Sequence, residues 1–238
     1  MNIVVVFPGQ GSQSIGMLAD YAAVWPQIEE TFKQASDVLG YDCWDIVCNG
    51  PAEKINKTEI TQPLMLAADI AVMRVMEQQC MLTPMVFAGH SLGEYAALVA
   101  AGALDFEDAI KLVSKRGQLM QAAVPEGEGA MAAIIGLNDD AIIKICQQVS
   151  SDTGSPVEAV NFNSPGQVVI AGATDAVNKA MELLKEEGAK RALPLPVSVP
   201  SHSSLMKPAA DELAKYLKDV TIKTPKIQVI HNGDARSH

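Results

Sequence analysis

The chain has 238 residues, of which 48% are hydrophobic, and it carries a formal net charge of −10. This length and apolar content suffice for one large domain or for a domain with a sizeable insertion. The acidic balance argues against general nucleic-acid binding, and no apolar run approaches the roughly 20 residues that a membrane span needs. The four cysteines show no metal-binding spacing, which predicts reduced and mostly packed thiols in a cytosolic protein.

The first half of the chain alternates between strand-like and helix-like segments. Its apolar start predicts a strand over 3–7, because it lacks the basic region and cleavage site of a signal peptide. Further predicted elements are helices over 24–39 and 62–79, a strand over 84–88, and helices over 94–101 and 105–123. This order favours an α/β layer with a largely parallel sheet.

The middle of the chain has a different pattern. Its predicted elements are strands over 130–137, 157–161, 167–172 and 191–195, and helices over 139–149 and 174–187. The order βαββαβ is that of the ferredoxin-like split unit. We therefore predict a small subdomain over 127–196, inserted into a large subdomain made of 1–126 and 197–238. The large subdomain is predicted to resume with a strand over 197–199, a helix over 206–218 and a strand over 227–230.

The motif Gly89-His90-Ser91-Leu92-Gly93 fits the G-x-S-x-G nucleophile elbow. It lies between a predicted buried strand and a predicted helix, so the serine hydroxyl would stand above the end of a sheet. The unpaired N–H groups of the helix N-terminus would point at the same place. Because ordinary strand-to-helix turns also use glycine and serine, the motif alone is a weak signal. Together with its flanks, it predicts Ser91 as a nucleophile.

A serine hydroxyl needs a base to take its proton, and the chain has four histidines. His90 adjoins the serine on a tight turn, where neighbouring side chains usually point apart. His231 and His238 lie near the chain end and are expected to be solvated. His202 remains, on a polar loop after a predicted strand, and is the candidate base. The alternative is a capping histidine ahead of the following helix.

Two further features point to substrate contacts. Arg116 falls at the inward edge of the apolar stripe of helix 105–123. An inward arginine predicts a structural ion pair, a snorkelling stem, or a fork that grips a substrate carboxylate. The loop Gly9-Gln10-Gly11-Ser12-Gln13 fails as a dinucleotide fingerprint because Ser14 stands where the third glycine belongs. Such a loop is either a tight turn or a donor of backbone N–H to an oxyanion hole. No metal-binding motif is present, and we expect no metal.

Six segments together resemble the signatures of malonyl-CoA:acyl carrier protein transacylases, a family of bacterial fatty acid synthesis. They are Phe7-Pro8-Gly9-Gln10-Gly11-Ser12-Gln13, Gly89-His90-Ser91-Leu92-Gly93-Glu94-Tyr95, Arg116-Gly117, Gly129-Ala130-Met131-Ala132-Ala133-Ile134-Ile135-Gly136, Asn161-Phe162-Asn163-Ser164-Pro165-Gly166-Gln167 and Val199-Pro200-Ser201-His202. The resemblance covers essentially the whole chain in order. Each motif alone is common, whereas the joint match is specific.

The resemblance implies a role for each matching position. Ser91 carries the malonyl group as an ester, His202 is its base and then the acid for the leaving thiol, and Arg116 pairs with the free malonyl carboxylate. The backbone N–H groups of Gln10 and Leu92 form the oxyanion hole. The implied reaction is ping-pong and needs neither cofactor nor metal. Malonyl-CoA acylates the serine, and the phosphopantetheine thiol of acyl carrier protein then takes the acyl group.

The resemblance also implies an α/β-hydrolase-like large subdomain with an inserted ferredoxin-like subdomain, in a cytoplasmic protein that we expect to be a monomer. Carrier proteins of this pathway are generally acidic, so docking on this acidic chain needs a local basic patch. Lys185, Lys190 and Arg191 of the small subdomain are the candidates for that patch.

One departure from the family concerns the C-terminus. The family continues well past the element seen here as Asn232-Gly233-Asp234-Ala235. That further part carries a segment resembling Asn-Pro-Val-x-Trp, which helps to orient the catalytic histidine, and a terminal strand and helices. A polypeptide ending at 238 would lack this part, and we would expect impaired activity and an exposed apolar surface on its large subdomain.

Three alternatives stay open. A serine hydrolase or thioesterase of related fold would need an acidic residue at a strand end between the nucleophile and the histidine. The candidates Asp139, Asp140, Asp152 and Asp175 lie in the predicted small subdomain, mostly at helix starts. A non-catalytic module that docks carrier proteins is disfavoured by the intact serine, histidine and arginine. A transferase with another acyl donor is disfavoured by Arg116, because an acetyl or alkyl group would leave that cation unpaired.

Overall fold

The structure is a computed structural model, and it describes residues 3–80, 83–197 and 199–238. The chain forms two compact units, the first built from the chain up to Gly117 and from Lys215–His238, the second from Gln118–Ala214. The fold is mixed α/β, with a parallel sheet in the first unit and an antiparallel sheet in the second. The predicted α/β class is therefore confirmed at this level.

In the first unit, a parallel sheet brings three strand ends to one edge. Its strands are β1 (Ile3–Phe7), β2 (Pro84–Gly89) and β7 (Gln228–Ile230), in the order β1-β2-β7. Its helices include α1 (Ala19–Ala22), α2 (Gln27–Leu39), α3 (Cys43–Asn49), α4 (Ala52–Ile55), α5 (Thr58–Gln79) and α6 (Gly93–Ala100), and α7 (Phe106–Ala123) begins here. Because the strands are parallel, the loops that follow β1, β2 and β7 all leave from the same sheet edge.

The second unit contains the predicted βαββαβ order. Its strands are β3 (Gly129–Ile135), β4 (Val157–Ser164), β5 (Gln167–Ala173) and β6 (Arg191–Pro194), and the intervening helices are α8 (Asp139–Thr153) and α9 (Thr174–Glu186). The sheet order is β4-β5-β3-β6, and neighbouring strands are antiparallel. The helices bury one apolar face against this sheet in a core that includes Ile134, Ile142 and Leu184. After the sheet come a 3₁₀ turn (Ser204–Met206), helix α10 (Lys207–Tyr216) and a second 3₁₀ turn (Leu217–Asp219).

The second unit extends beyond the predicted 127–196 at both ends. The extension has a packing reason, since Met120 and Val124 share one apolar cluster with Val199, Met206 and Ala209. The end of α7 and the start of α10 therefore belong to the core of the second unit. The subdomain boundaries at 1–126, 127–196 and 197–238 stay a prediction.

Several element boundaries differ from those predicted. The short helices α1, α3 and α4 were not predicted, because segments of four to seven residues are too short to show a helical period. Helix α2 begins at Gln27 rather than 24, directly after Pro26, a residue suited to helix starts. The predicted strand over 197–199 is absent at Val197 and Val199, and Ser198 lies outside the described residues.

One face of the parallel sheet exposes apolar side chains. Val4 and Val6, at alternate positions of β1, are 60% and 70% exposed, respectively. Parallel sheets are usually covered by helices on both faces, so this face is unusual in being open. Phe7 of β1 and Phe87 of β2 are buried, and their rings lie 5.8 Å apart.

Candidate active site

The end of β2 turns directly into α6 through a tight turn at Ser91. The backbone φ of Ser91 is 52°, a left-handed conformation that costs a non-glycine residue about 1–2 kcal/mol. Glycine is required on both sides of this turn. A Cβ atom on Gly89 would overlap the backbone of Gly93, and one on Gly93 would overlap the carbonyl oxygen of Phe7. The strand–turn–helix context predicted for the motif is therefore present.

The loop after β1 lies directly against this turn. His90 donates its backbone N–H to the carbonyl oxygen of Phe7 at 3.0 Å, and a Cβ atom on Gly9 would overlap the carbonyl oxygen of His90. Among the residues that the structure describes, the backbone N–H groups of Gln10 and Leu92 donate to no acceptor. Two backbone donors thus stay available in the two segments that meet at the nucleophile.

Arg116, on α7, places a positive charge beside the serine hydroxyl. Nη1 of the guanidinium donates to Oε1 of Gln62 at 2.8 Å, and Nη2 lies 3.4 Å from Oγ of Ser91. Burial lowers the pKa of the Arg116 guanidinium, and Tyr95 and Glu94 oppose that shift. A guanidinium is not deprotonated in proteins. Within residues 3–80, 83–197 and 199–238, no carboxylate forms an ion pair with Arg116. The structural ion pair that the sequence left open is therefore not found there.

Gln62 was not predicted from the sequence, yet it orients Arg116. Its side chain is 0% exposed, and its amide oxygen accepts the hydrogen bond from the guanidinium. Close packing brings the two helices together, since a Cβ atom on Gly117 would lie only 2.6 Å from Cα of Glu59. The available signal was a glutamine inside a helix that is apolar on nearly every face. A buried amide there needs a hydrogen-bond partner.

A hydrogen-bonded group from β7 and α6 supports the back of the turn. Asn232 accepts the backbone N–H of Ser91 on Oδ1 at 2.6 Å and donates from Nδ2 to the carbonyl oxygen of Gly89. The carboxylate of Glu94 accepts the backbone N–H of Asn232 at 2.7 Å and lies 2.8 Å from Nδ1 of His231. The expectation that His231 is a solvated chain-end histidine was wrong, because the parallel sheet brings the end of β7 next to α6.

His202, the predicted base, lies in the second unit. It is exposed and has a backbone φ of 66°, in the turn that precedes Ser204–Met206. Ser203, not His202, is the residue before the helical turn, and its hydroxyl donates to the carbonyl oxygen of Pro200 at 2.7 Å. The choice between a base and a helix cap for His202 stays a prediction. A Cβ atom on Gly129 would overlap the Pro200 ring, so glycine is needed beneath this turn.

The cysteines are free thiols, and their burial differs. Cys43 and Cys146 are buried, Cys48 is half-buried and Cys80 is exposed. The prediction of packed thiols is therefore confirmed for two of the four cysteines. Burial raises the pKa of Cys43 to about 11 and that of Cys146 to about 12, which keeps both thiols protonated and unreactive at neutral pH. Among the described residues, no group of three metal-ligating side chains is assembled. No helix in that part of the chain is both long and apolar enough to cross a bilayer.

A strained serine, spare backbone donors and an unneutralised guanidinium are the elements of acyl transfer to a carboxylated substrate. The chain belongs to the family of acyl transferase domains, which residues 4–238 match.

Within that family, its relatives are malonyl CoA-acyl carrier protein transacylases. The protein from Haemophilus influenzae is 62% identical over 99% of this chain and 75% of its own length. That from Escherichia coli K12 is 58% identical over 97% of this chain and 74% of its own length.

Solved structures agree with this assignment. The transacylase from Coxiella burnetii is 53% identical with a TM-score of 0.97, and the match covers 100% of this chain and 74% of that one. A malonyl-transacylase in complex with a type II PKS acyl-carrier protein is 55% identical with a TM-score of 0.97, and the match covers 100% of this chain and 76% of that one.

Proposed function

We propose that this chain transfers a malonyl group from malonyl-CoA to the phosphopantetheine thiol of acyl carrier protein, through an ester on Ser91. The observation that carries this proposal is the Arg116 guanidinium, 3.4 Å from Oγ of Ser91. A malonyl group esterified to that oxygen carries its free carboxylate two carbons from the reacting carbonyl, within reach of the cation. Relatives that are 58% and 62% identical bear the name of this activity, which supports the proposal.

In the first half-reaction, His202 accepts the hydroxyl proton of Ser91 while Oγ attacks the thioester carbonyl of malonyl-CoA. The carbonyl electron pair moves onto its oxygen, where the backbone N–H groups of Gln10 and Leu92 stabilise the charge. The C–S bond then breaks, and His202 gives its proton to the leaving CoA thiolate. Arg116 holds the malonyl carboxylate throughout by paired hydrogen bonds.

The second half-reaction repeats these steps with a different thiol. The phosphopantetheine thiol gives its proton to His202, and its sulfur attacks the ester carbonyl. The C–O bond to Ser91 breaks, and His202 returns the proton to the serine oxygen. A thioester and an oxygen ester exchange in each half-reaction, so the protein supplies a base, an oxyanion hole and a carboxylate anchor. The proposed scheme uses neither a metal nor a cofactor. Malonyl-CoA takes part in it as a substrate.

A serine hydrolase or thioesterase of related fold is the alternative function. It would use water in place of the second thiol and an acidic residue to orient its histidine. Asp139 and Asp175 lie in the first turns of α8 and α9, and Asp152 lies within α8. All three belong to the second unit, whereas an acid of that kind follows a strand of the sheet that carries the nucleophile, which is in the first unit. A transacylase with an uncharged acyl donor is disfavoured by the Arg116 guanidinium beside the serine, because such a donor brings no carboxylate to pair with it.

The finer description of the fold is part of this proposal. We infer that the first unit is the α/β-hydrolase-like subdomain, since its nucleophile follows a central parallel strand. We infer that the second unit contains the ferredoxin-like subdomain, a reading supported by its βαββαβ order and antiparallel sheet. We place the enzyme in the cytoplasm and expect it to act as a monomer, as the family resemblance implies.

Malonyl-CoA that is radiolabelled in its acyl group tests the proposal directly, because the position of the label shows where the malonyl group is attached. Incubated with the protein alone, the label is expected to appear on Ser91 in a stoichiometric burst. Adding phosphopantetheinylated carrier protein should move the label to its thiol. Release of free malonate before carrier protein is added, at a rate matching acylation, would favour the hydrolase alternative and contradict the transferase.

Removing the imidazole of His202 is expected to slow both half-reactions by about 10²-fold, the lower end of what general base catalysis contributes. Asparagine is the replacement of choice, because it tolerates the left-handed backbone at φ 66°. The matched control is His238→Asn, which alters an exposed histidine paired with Asp234. Single-turnover acylation and deacylation rates measure the effect, and unchanged rates in His202→Asn would remove its role as base.

Reversing the charge of the predicted basic patch is expected to raise the KM for carrier protein by about tenfold and leave the KM for malonyl-CoA unchanged. Lys185, Lys190 and Arg191 are all exposed on the second unit, and rim charges act mainly on association. Glutamate replaces each in turn, and Lys144→Glu on α8, also exposed, is the control with the same charge change. An equal KM for carrier protein in all variants would exclude this patch as the docking site.

A further inference from the structure

We propose that Asn232 is a positioning residue for the nucleophile, and that Glu94 holds Asn232 in place. The proposal rests on the proposed function, because it concerns how Ser91 is kept ready to react. Asn232 follows β7, and its side chain bonds to both sides of the turn, the N–H of Ser91 and the carbonyl oxygen of Gly89. No sequence motif for catalysis pointed to this asparagine.

The primary amide is suited to this position because it donates and accepts at the same time. Its oxygen holds the N–H of Ser91, and its nitrogen holds the last carbonyl of β2. Ser91 has the left-handed φ of 52°, a conformation that persists only where the surroundings hold it. The two bonds from Asn232 span this strained residue and so fix where its Oγ stands.

The same contact determines which backbone N–H group of the turn is available to the substrate. Because Asn232 takes the N–H of Ser91, the next donor along the chain, that of Leu92, is the one left for the substrate carbonyl. Acylation therefore does not compete with the bond that keeps the turn in shape. A donor preorganised in this way stabilises an oxyanion without reorganising during the reaction.

Glu94 connects this asparagine to the helix that follows the nucleophile. One carboxylate oxygen accepts the backbone N–H of Asn232 at 2.7 Å, and the other lies 2.8 Å from Nδ1 of His231. Glu94 is in the first turn of α6, so its two bonds tie the end of β7 to the start of that helix. Glu94 thus acts on the nucleophile through Asn232.

Asn232→Ala is expected to lower the acylation rate of Ser91 by about 10- to 100-fold, since a misplacement of about 1 Å at a reacting atom costs up to about 10²-fold. The KM for malonyl-CoA should stay within about threefold, because Arg116 still binds the carboxylate. Gln228→Ala, on β7, removes an exposed amide that donates to Oγ of Ser237 at 2.6 Å and is expected to react normally. A normal acylation rate in Asn232→Ala, or a loss confined to KM, would overturn the proposal.

The role of Glu94 is tested by a double-mutant cycle. Glu94→Gln keeps an acceptor for the backbone N–H of Asn232 and should stay within about threefold of the unmodified rate, whereas Glu94→Ala should slow acylation as Asn232→Ala does. Since both residues act through one contact, the double alanine variant should lose no more than Asn232→Ala alone. Fully multiplicative losses, or equal losses in Glu94→Gln and Glu94→Ala, would show that Glu94 acts by its charge and contradict its assigned role.

A serine-directed fluorophosphonate separates this proposal from the proposed function, because it reports on Ser91 without malonyl-CoA. The labelling rate of Asn232→Ala should fall by the same factor as acylation, with a thermal midpoint that shows the variant folded. Slower labelling in a protein that never accepts malonyl groups would support the positioning role and refute the transferase. Equal labelling in a protein that does transfer malonyl groups would refute the positioning role alone.

Discussion

Replacing Ser91 with alanine is expected to abolish the acyl-enzyme and to lower malonyl transfer by at least about 10⁴-fold. The hydroxyl oxygen is the only atom at the elbow to which the proposed scheme attaches the acyl group. The backbone donors and Arg116 would stay in place, so substrate binding should survive the change. Intact-protein mass spectrometry after mixing with malonyl-CoA measures the adduct, and an adduct that persists at another residue would refute the assignment.

Two companion variants separate chemistry from folding at this position. Ser91→Gly should be as inactive as Ser91→Ala yet more stable than it by about 1 kcal/mol, because glycine adopts the φ of 52° without strain. Ser12→Ala changes an exposed serine in the nearby loop and should leave the adduct intact. Thermal denaturation of the three variants checks this order, and a less stable Ser91→Gly would contradict the strain argument.

Replacing Arg116 with glutamine is expected to lower malonyl transfer by about 10³-fold while acetyl transfer changes by less than about tenfold. The guanidinium lies beside Oγ of Ser91, and Gln62 is its hydrogen-bond partner on the other side. Removing it leaves the malonyl carboxylate desolvated and unpaired, which costs about 2–5 kcal/mol. An acetyl group has no carboxylate and loses nothing by the change. The ratio of kcat/KM for malonyl-CoA to that for acetyl-CoA measures this selectivity.

Arg116→Lys and Arg74→Gln complete the test of the anchor. Lysine keeps the charge but not the planar fork, so Arg116→Lys should fall between the unmodified protein and Arg116→Gln. Arg116 lies 5.7 Å from the centre of the Tyr95 ring, and Arg74 lies 4.7 Å from the centre of the Phe106 ring. The loss of Arg74 should affect stability but not the donor ratio. Equal losses for malonyl and acetyl transfer in Arg116→Gln would remove the carboxylate anchor.

The long elements and the elbow were predictable because they depend on local pattern. The strand at Ile3–Phe7 is a short continuous apolar run, the helix at Phe106–Ala123 has an apolar stripe of helical period, and the glycines of the motif mark the turn. The short helices had too few residues for a period to show. The sequence did not indicate that Gln62 bonds to Arg116. The two residues are 54 positions apart, and their contact depends on how the two helices pack.

By itself, the sequence predicted three residues for the chemistry: a serine on a strand-to-helix turn, an arginine on the inward side of a helix, and a histidine on a polar loop. These assignments follow from local spacing, which the chain retains in any arrangement of its elements. Only the tertiary structure decided what surrounds the serine. The parallel order β1-β2-β7 brings Asn232 from the far end of the chain to Ser91, a separation of 141 residues. No local pattern encodes that contact, because it arises from strand pairing.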